Sequence, residues 1–368
     1  MGDELYICSM ENVFAQKLKE LRVGANWSLQ QLADQVGVAK QSIHKFENAQ
    51  AFPSSDTLLK IAEVFRVPFT YFYEQPATCT LENVKFRDAY KIHNRDVVEQ
   101  EIKRQVIDYV TKFLQLERIM DIKHDFDNPL AGVEIENEKD IEKAAKILRK
   151  RWKLGSDAIN DVVETLESKG VLVVEVDRVE DFNGLSGTID EIPVIVLNER
   201  VLTVERKRFT ALHELGHVFL EFAQEFSDEK VERFCDYFAG AVLLVDEALY
   251  YELGKNRTAI SLGELKRIKE SYGISIKAII VRARFSGLIN YQTFQEWNNS
   301  YAEWSHIDSK NVDFGQFRCN EKATRFKNLI VQGVTEGRLL WSKAAELSGR
   351  KIDVLKKEFD GVRFNVKS

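Results

Sequence analysis

Cysteine is scarce in this chain. There are four in 368 residues, Cys8, Cys79, Cys235 and Cys319, and no two form a CxxC pair. Such scattering reads as a reduced, intracellular protein rather than a disulfide scaffold. Proline (5) and glycine (19) are also low, which points to a helix-rich chain. No stretch approaches 18 uncharged apolar residues, so no membrane span is expected. The opening MGDELYICSMENVFAQ has neither a basic n-region nor a long apolar h-region. No signal peptide is therefore expected, and the cytoplasm is the expected location. An excess of basic residues is missing too. Lys and Arg number 52 against 58 Asp and Glu, a net charge of −6. That excludes a chain-wide electrostatic footprint for nucleic acid but leaves room for a local one. What is present in quantity is apolar side chain, 44% of the residues. This is ample for a sizeable core, and the length suggests two or three domains.

VFAQKLKELR (13–22) places Phe14, Leu18 and Leu21 on one helical face. In WSLQQLADQVGV, Ser28 and Gln31 form a capping box, so a helix is predicted to start at Ser28 and to end at Gly37. AKQSIHKFENAQ then begins a second helix with Ile43 and Phe46 inward. Two short helices joined by a glycine-centred turn are the helix-turn-helix pattern. A further helix capped near Ser55 or Asp56 and a short one after Pro68 complete the segment. LADQVGVAKQSIHKFENAQ followed by LLKIAEVFRVPFTYFY resembles the Cro/repressor, XRE-type DNA-binding domains, from about Val13 to Tyr73. That resemblance implies an all-α, lambda-repressor-like domain over residues 11–75, bound to operator DNA. Its second helix, Ala39 to Asn48, would enter the major groove and present Lys40, Gln41, His44 and Lys45. The sequence departs from the family at Leu29, where a phosphate-contacting glutamine is common. A homodimer is the expectation for repressor-type domains on paired half-sites.

Residues 76–130 carry Ile102, Val106, Val110, Phe113 and Leu116 at helical spacing, which predicts a long amphipathic linking helix. KHDFDNPLAGVEIENEK (123–139) reads as a loop. EKDIEKAAKILRKRWKLG (138–155) reads as a helix stopped by Gly155, and SDAINDVVETLESKG (156–170) as another, capped by Ser156. VLVVEVD (171–177) is a valine-dense strand. GLSGTIDEIPVIVLNE (184–199) is a predicted hairpin turning at Asp190–Glu191. Helices, a small sheet and further helices make an α+β arrangement.

FTALHELGHVFLEF (209–222) holds His213, Glu214 and His217 in an otherwise apolar helical run. Residues at i and i+4 share a helical face, so both imidazoles can meet at one atom. Imidazole suits zinc, and a glutamate beside the pair is placed to take a proton from an activated water. Catalytic zinc usually has three protein ligands, so a third is expected downstream. VERFCDYFAGAVLL (231–244) reads as the next helix, with Glu232 and Asp236 four apart on one face. Glu232 is the candidate third ligand. Asp236 is the candidate partner holding a histidine ring nitrogen.

LSGTIDEIPVIVLNER, RKRFTALHELGHVFL and VERFCDYFAGAVLLV resemble the ImmA/IrrE family of zinc metallopeptidases, from about Phe86 through Ile289. That resemblance carries the ligands onto His213, His217 and Glu232 and the general base onto Glu214. It implies a zinc endopeptidase that cleaves a repressor and so releases gene expression. Val245 departs from the proline usual after the Leu-Leu pair. The strand near Pro193–Asn198 is expected to offer an edge to an extended substrate. Arg282 and Arg284 are left outside the site.

The expected fold is mainly α with a small α+β zincin-like domain and the N-terminal helix-turn-helix domain. The expected domains are 11–75, a helical linker at 76–130, the metallopeptidase-like domain at 131–300, and a helical appendage at 301–368. Within the appendage, residues 300–320 read as polar and irregular. WSKAAELSGRKIDVLKKEF then has a helix, a turn at Gly349 and a second helix, an echo of the N-terminal motif. A packing role for this tail is preferred here over a second DNA or protein contact. Two functional alternatives stay open: a non-enzymatic transcriptional regulator whose zincin fold senses a partner, and a toxin-like protease held by an antitoxin.

Overall fold

The computed structural model describes residues 13–19, 21–23, 25, 27–65, 67, 69–72, 84–86, 95–177, 183–200, 203–255, 257–306 and 314–360. The expectations for Cys8, Cys79 and the first ten residues lie outside these. Cys235 and Cys319 are in no disulfide. Among the described residues, no helix is long and apolar enough to cross a membrane. The chain divides into two compact units, one of residues 1–79, 107–124 and 324–368, the other of 80–106 and 125–323.

In the first unit, a helical stretch over 13–19 and 21–23 precedes α1 (Leu29–Val36), α2 (Lys40–Glu47) and α3 (Ser55–Phe65), followed by a 3-10 turn (Phe69–Phe72). The predicted capping box is present: Gln31 N–H donates to Ser28 Oγ at 3.2 Å, and Ser28 N–H to Gln31 Oε1 at 2.8 Å. Gly37 turns the chain at φ 75°, a conformation that costs a residue with a Cβ but not glycine. Leu32, Ala33, Val36, Ile43 and Phe46 face inward, where the Phe14 ring meets those of Phe52 and Phe72 at 4.8 and 5.3 Å. The same unit contains the later part of the long α4 (Arg95–Ile119), whose Phe113 ring lies 6.0 Å from that of Phe326. It ends with α13 (Arg325–Thr335), α14 (Trp341–Ser348) and α15 (Ile352–Asp360).

The second unit is α+β. Its four-stranded sheet has the order β1 (Val84–Phe86), β4 (Gly184–Ile189), β5 (Ile192–Asn198), β3 (Leu172–Val176). β1–β4 and β4–β5 are antiparallel; β3–β5 is parallel. The hairpin turn falls on Asp190 and Glu191, both at positive φ, as a two-residue hairpin requires. β5 is thus flanked on both sides, which corrects the expectation of a substrate edge at 193–198. Its run of six buried residues is the pattern of an interior strand. A second, two-residue ladder joins β2 (Glu134–Ile135), inside the segment read as a loop, to β6 (Glu221–Phe222), the last two residues of the run read as helical, where the helix ends at Phe219.

The helices of this unit are α5 (Glu138–Trp152), α6 (Val162–Ser168), α7 (Val204–Phe219), α8 (Asp228–Leu243), α9 (Asp246–Leu253), α10 (Leu262–Tyr272), α11 (Ile276–Phe285) and α12 (Tyr291–His306). Leu212, Leu215 and Phe219 of α7, Phe234 and Phe238 of α8, and Val173 and Ile195 of the sheet share one buried core. α6 starts five residues later than predicted, with Asp161 rather than Ser156 as its cap. Asp161 accepts the Glu164 N–H at 2.8 Å, and more distant groups hold the segment before and at that start. The Arg149 guanidinium binds the carbonyls of Gly155 and Asp157, and the Glu321 carboxylate accepts the N–H groups of Val162 and Val163 at 3.0–3.1 Å. α12 reaches His306, so part of the 300–320 stretch is helical rather than irregular.

Candidate metal centre

α7 opens on Thr203, whose hydroxyl accepts the Arg206 N–H at 3.3 Å, and is buried along nearly its whole length. A buried helix can carry polar side chains only where each is satisfied, because an unpaired polar group out of water costs about 1–3 kcal/mol. His213 and His217 are 7% exposed and Glu214 is 1% exposed, so partners are required. α8 supplies them. Gly216 makes this possible: a Cβ there would lie 3.3 Å from the Cα, Cβ and Sγ of Cys235. The two helices therefore approach to a distance that glycine accepts best.

Three side chains converge. His213 Nε2 is 3.1 Å from His217 Nε2 and 3.2 Å from Glu232 Oε2, and His217 Nε2 is 3.1 Å from Glu232 Oε1. All three ligand atoms lie within 4.8 Å of one another. Donors bound tetrahedrally at about 2.0–2.1 Å stand about 3.3 Å apart, so the spacing fits a single zinc ion. The outward ring nitrogens are held as well. His213 Nδ1 is 2.8 Å from Asp236 Oδ1, and His217 Nδ1 is 3.4 Å from Cys235 Sγ. Such contacts fix ring orientation and aim both Nε2 atoms at one point.

The electrostatics are those of a compact charge cluster. Burial pushes the His213 imidazole down, but its bonds to Asp236 and Glu232 win and bring it to about 10. Burial pushes Glu232 up, and the two histidines overcome this to bring it to about 2. Glu214 goes the other way. Its burial raises it above the ordinary carboxylate value, only partly opposed by His213 and by the hydrogen bond from Ser186.

Sequence reasoning missed two contributors. Ser186 of β4 donates its hydroxyl to Glu214 Oε2 at 2.7 Å. Gly184 of the same strand gives Glu214 room, since a Cβ would lie 2.7 Å from Thr210 Cγ2 and 3.0 Å from Glu214 Cγ. The run Gly184-Leu185-Ser186-Gly187 was the available signal: small residues in a strand mark a close approach. Arg282, left outside the site from sequence, is buried and bound to Glu142, to Asp246 at 2.8 Å and to the Leu244 carbonyl at 3.1 Å. It anchors α5, α9 and α11 rather than facing the cluster.

In the first unit, Lys40, Gln41, His44 and Lys45 are all exposed on α2. The Asn48 amide closes the end of that helix by donating to the His44 carbonyl at 2.7 Å.

Comparison with known proteins bears on both units. Residues 18–72 match the helix-turn-helix domain, and residues 166–284 match the IrrE N-terminal-like domain of peptidase family M78. The second match encloses Ser186, the three converging ligand atoms and Glu214. The "HTH-type transcriptional regulator SutR" of Escherichia coli is 38% identical over 74 residues, 19% of this chain and 42% of that protein. The "Putative HTH-type transcriptional regulatory protein PF1851" of Pyrococcus furiosus is 25% identical over 197 residues, 50% of this chain and 54% of that protein. The "HTH-type transcriptional activator BcrR" of Enterococcus faecalis is 32% identical over 82 residues, 22% of this chain and 40% of that protein. The chain spans about half the length or less of these curated relatives. It joins, on one polypeptide, an XRE-type helix-turn-helix domain and an IrrE-like peptidase domain.

Proposed function

We propose that this chain is a DNA-binding zinc endopeptidase that cleaves a regulatory protein, a repressor, to control transcription. One observation carries the reading: two imidazoles and a carboxylate converge at the spacing of zinc ligands, with a buried glutamate one residue from the first imidazole. His213, His217 and Glu232 would hold the metal. Bound there, zinc supplies a Lewis acid that polarises a peptide carbonyl and lowers the pKa of water toward about 7.

The chain's own residues do the rest. Ser186 fixes Glu214 Oε2 by donating a hydrogen bond to it, which orients the carboxylate beside the histidines. Glu214 takes the proton from the attacking water and returns it to the leaving amine. Asp236 keeps the His213 ring turned so that Nε2 faces inward. The exposed face of α2, with Lys40, Gln41, His44 and Lys45, would hold the enzyme at its operator.

A non-enzymatic regulator is the second reading, favoured by the regulator names of the curated relatives. Metal analysis and N-terminal mapping separate the two. Zinc near one per chain is expected in the wild type and in Glu214→Gln, and is expected to be lost in His213→Ala and Glu232→Ala. New protein N-termini are expected in cells with the wild type and not with Glu214→Gln. A wild type that takes up no zinc on reconstitution removes the protease reading. Zinc uptake with identical N-termini in both strains leaves the regulator.

A further inference from the structure

Helices α13, α14 and α15 repeat the first three helical segments of the chain in the same register. A shift of 312 residues carries Gly37 (φ 75°) onto Gly349 (φ 65°). The same shift carries α1 (Leu29–Val36) onto α14 (Trp341–Ser348), and the start of α2 at Lys40 onto the start of α15 at Ile352. It also carries the helical stretch 13–23 onto α13 (Arg325–Thr335). Packing follows the register at three positions, while buried Phe46 falls on exposed Glu358. Leu18 and Ile330, Leu32 and Ala344, and Ile43 and Leu355 are matching pairs, all buried. Helix lengths, the left-handed glycine and the inward positions are what a helix-turn-helix requires, and side-chain identity need not repeat for the backbone to do so.

We infer that residues 325–360 form a second helix-turn-helix element and that α15, its second helix, contacts the backbone of duplex DNA. The positions matching exposed Gln41, His44 and Lys45 are Asp353, Lys356 and Lys357, and all three are exposed. Arg350 and Lys351 lie just before the helix, exposed as well. Residues 350–360 carry four cations and three carboxylates, a local net of +1 in a chain whose net charge is −6. Local positive charge of this kind on the outward side of a helix-turn-helix fits a polyanion. Val354, 46% exposed, is the large apolar side chain on that face, which is little for a protein-docking patch. Arg350 is shared with Glu358 at 2.7 Å, so Lys351, Lys356 and Lys357 are the cations to test.

The test measures affinity of the full chain for a random-sequence duplex of about 40 base pairs across about 50 to 200 mM salt. Each phosphate contact contributes about 0.9 to the slope of log affinity against log salt. The variant Lys351→Gln/Lys356→Gln/Lys357→Gln is expected to lower the slope by about 2 to 3. Lys40→Gln/Lys45→Gln is expected to lower it separately by about 2. Lys139→Gln/Lys150→Gln/Lys277→Gln, exposed lysines of the other unit, is expected to leave it unchanged. Helical circular dichroism checks that each variant is folded. A slope unchanged in the α15 variant overturns the inference while leaving the N-terminal DNA contact in place. An equal loss in the control variant also overturns it, since net charge alone would then explain the effect. A wild type that binds no DNA at low salt overturns both contacts together.

Discussion

Removing Glu321 should destabilise the unit that carries His213, His217 and Glu232, although Glu321 lies 104 residues beyond His217 in sequence. Its carboxylate is 1% exposed and pairs with Arg208, which is fully buried on α7. It also accepts the N–H groups of Val162 and Val163, closing the start of α6. Glu321→Ala therefore leaves one buried cation without its counter-charge and two buried N–H groups without acceptors. Breaking a buried pair from one side costs about 3–5 kcal/mol. Arg208 keeps the carbonyls of Ile159, Asn160, Tyr272 and Gly273 at 2.6–3.3 Å, so the lower end, about 3 kcal/mol, is expected. Denaturant unfolding followed by circular dichroism reads this directly. Glu321→Gln, which keeps an acceptor oxygen but loses the charge, should fall between the wild type and Glu321→Ala. A loss below about 1 kcal/mol for Glu321→Ala would refute the argument, because it would mean that solvent or a neighbour satisfies Arg208.

Three further outcomes follow from the geometry. Asp236→Asn keeps the shape of the residue but removes the charge on His213 Nδ1, and should weaken zinc binding by about 10- to 100-fold in competition with a chelator, with the fold unchanged. Gly184→Ala places a methyl against Thr210 and Glu214; activity should fall more than zinc content, and equal loss of both would show that the strand rather than the base had moved. Glu205 is held below the ordinary carboxylate range: burial pushes it up, but the Phe317 N–H at 3.2 Å and Lys269 at 3.3 Å contribute to pulling it down. A depressed acid stabilises the fold above its unfolded pKa of 4.5 and loses that contribution as pH falls through its lower folded value. Acid unfolding curves should therefore be flatter below pH 4.5 for Glu205→Gln than for the wild type, and parallel curves would count against the assignment.

The parts of this protein written in the sequence are those whose cause lies within a turn or two of the residue concerned. The capping box at Ser28 and Gln31, the stop at Gly37 and the break before α8 at Ser227 depend on neighbours three or four positions away. The shared face of His213 and His217 is a consequence of 3.6 residues per turn, and needs no knowledge of the sheet. The strand pattern at 184–199 likewise revealed a hairpin and its turn.

Tertiary structure decided whatever depends on a partner far along the chain. β5 became an interior strand because β3 pairs with it in parallel, and a valine-rich run reads the same at an edge or in the middle. α6 begins at Val162 because Asp161 caps it, accepting the Glu164 N–H at 2.8 Å, and because a carboxylate 159 positions away binds its first N–H. Ser186 meets Glu214 across 28 residues, and Glu232 meets both histidines because Gly216 lets two helices close together. Local sequence was enough to show which residues can bind a metal and which helices can form. Only the packed chain decided which of those residues share one point in space, because that depends on long-range burial rather than on local period.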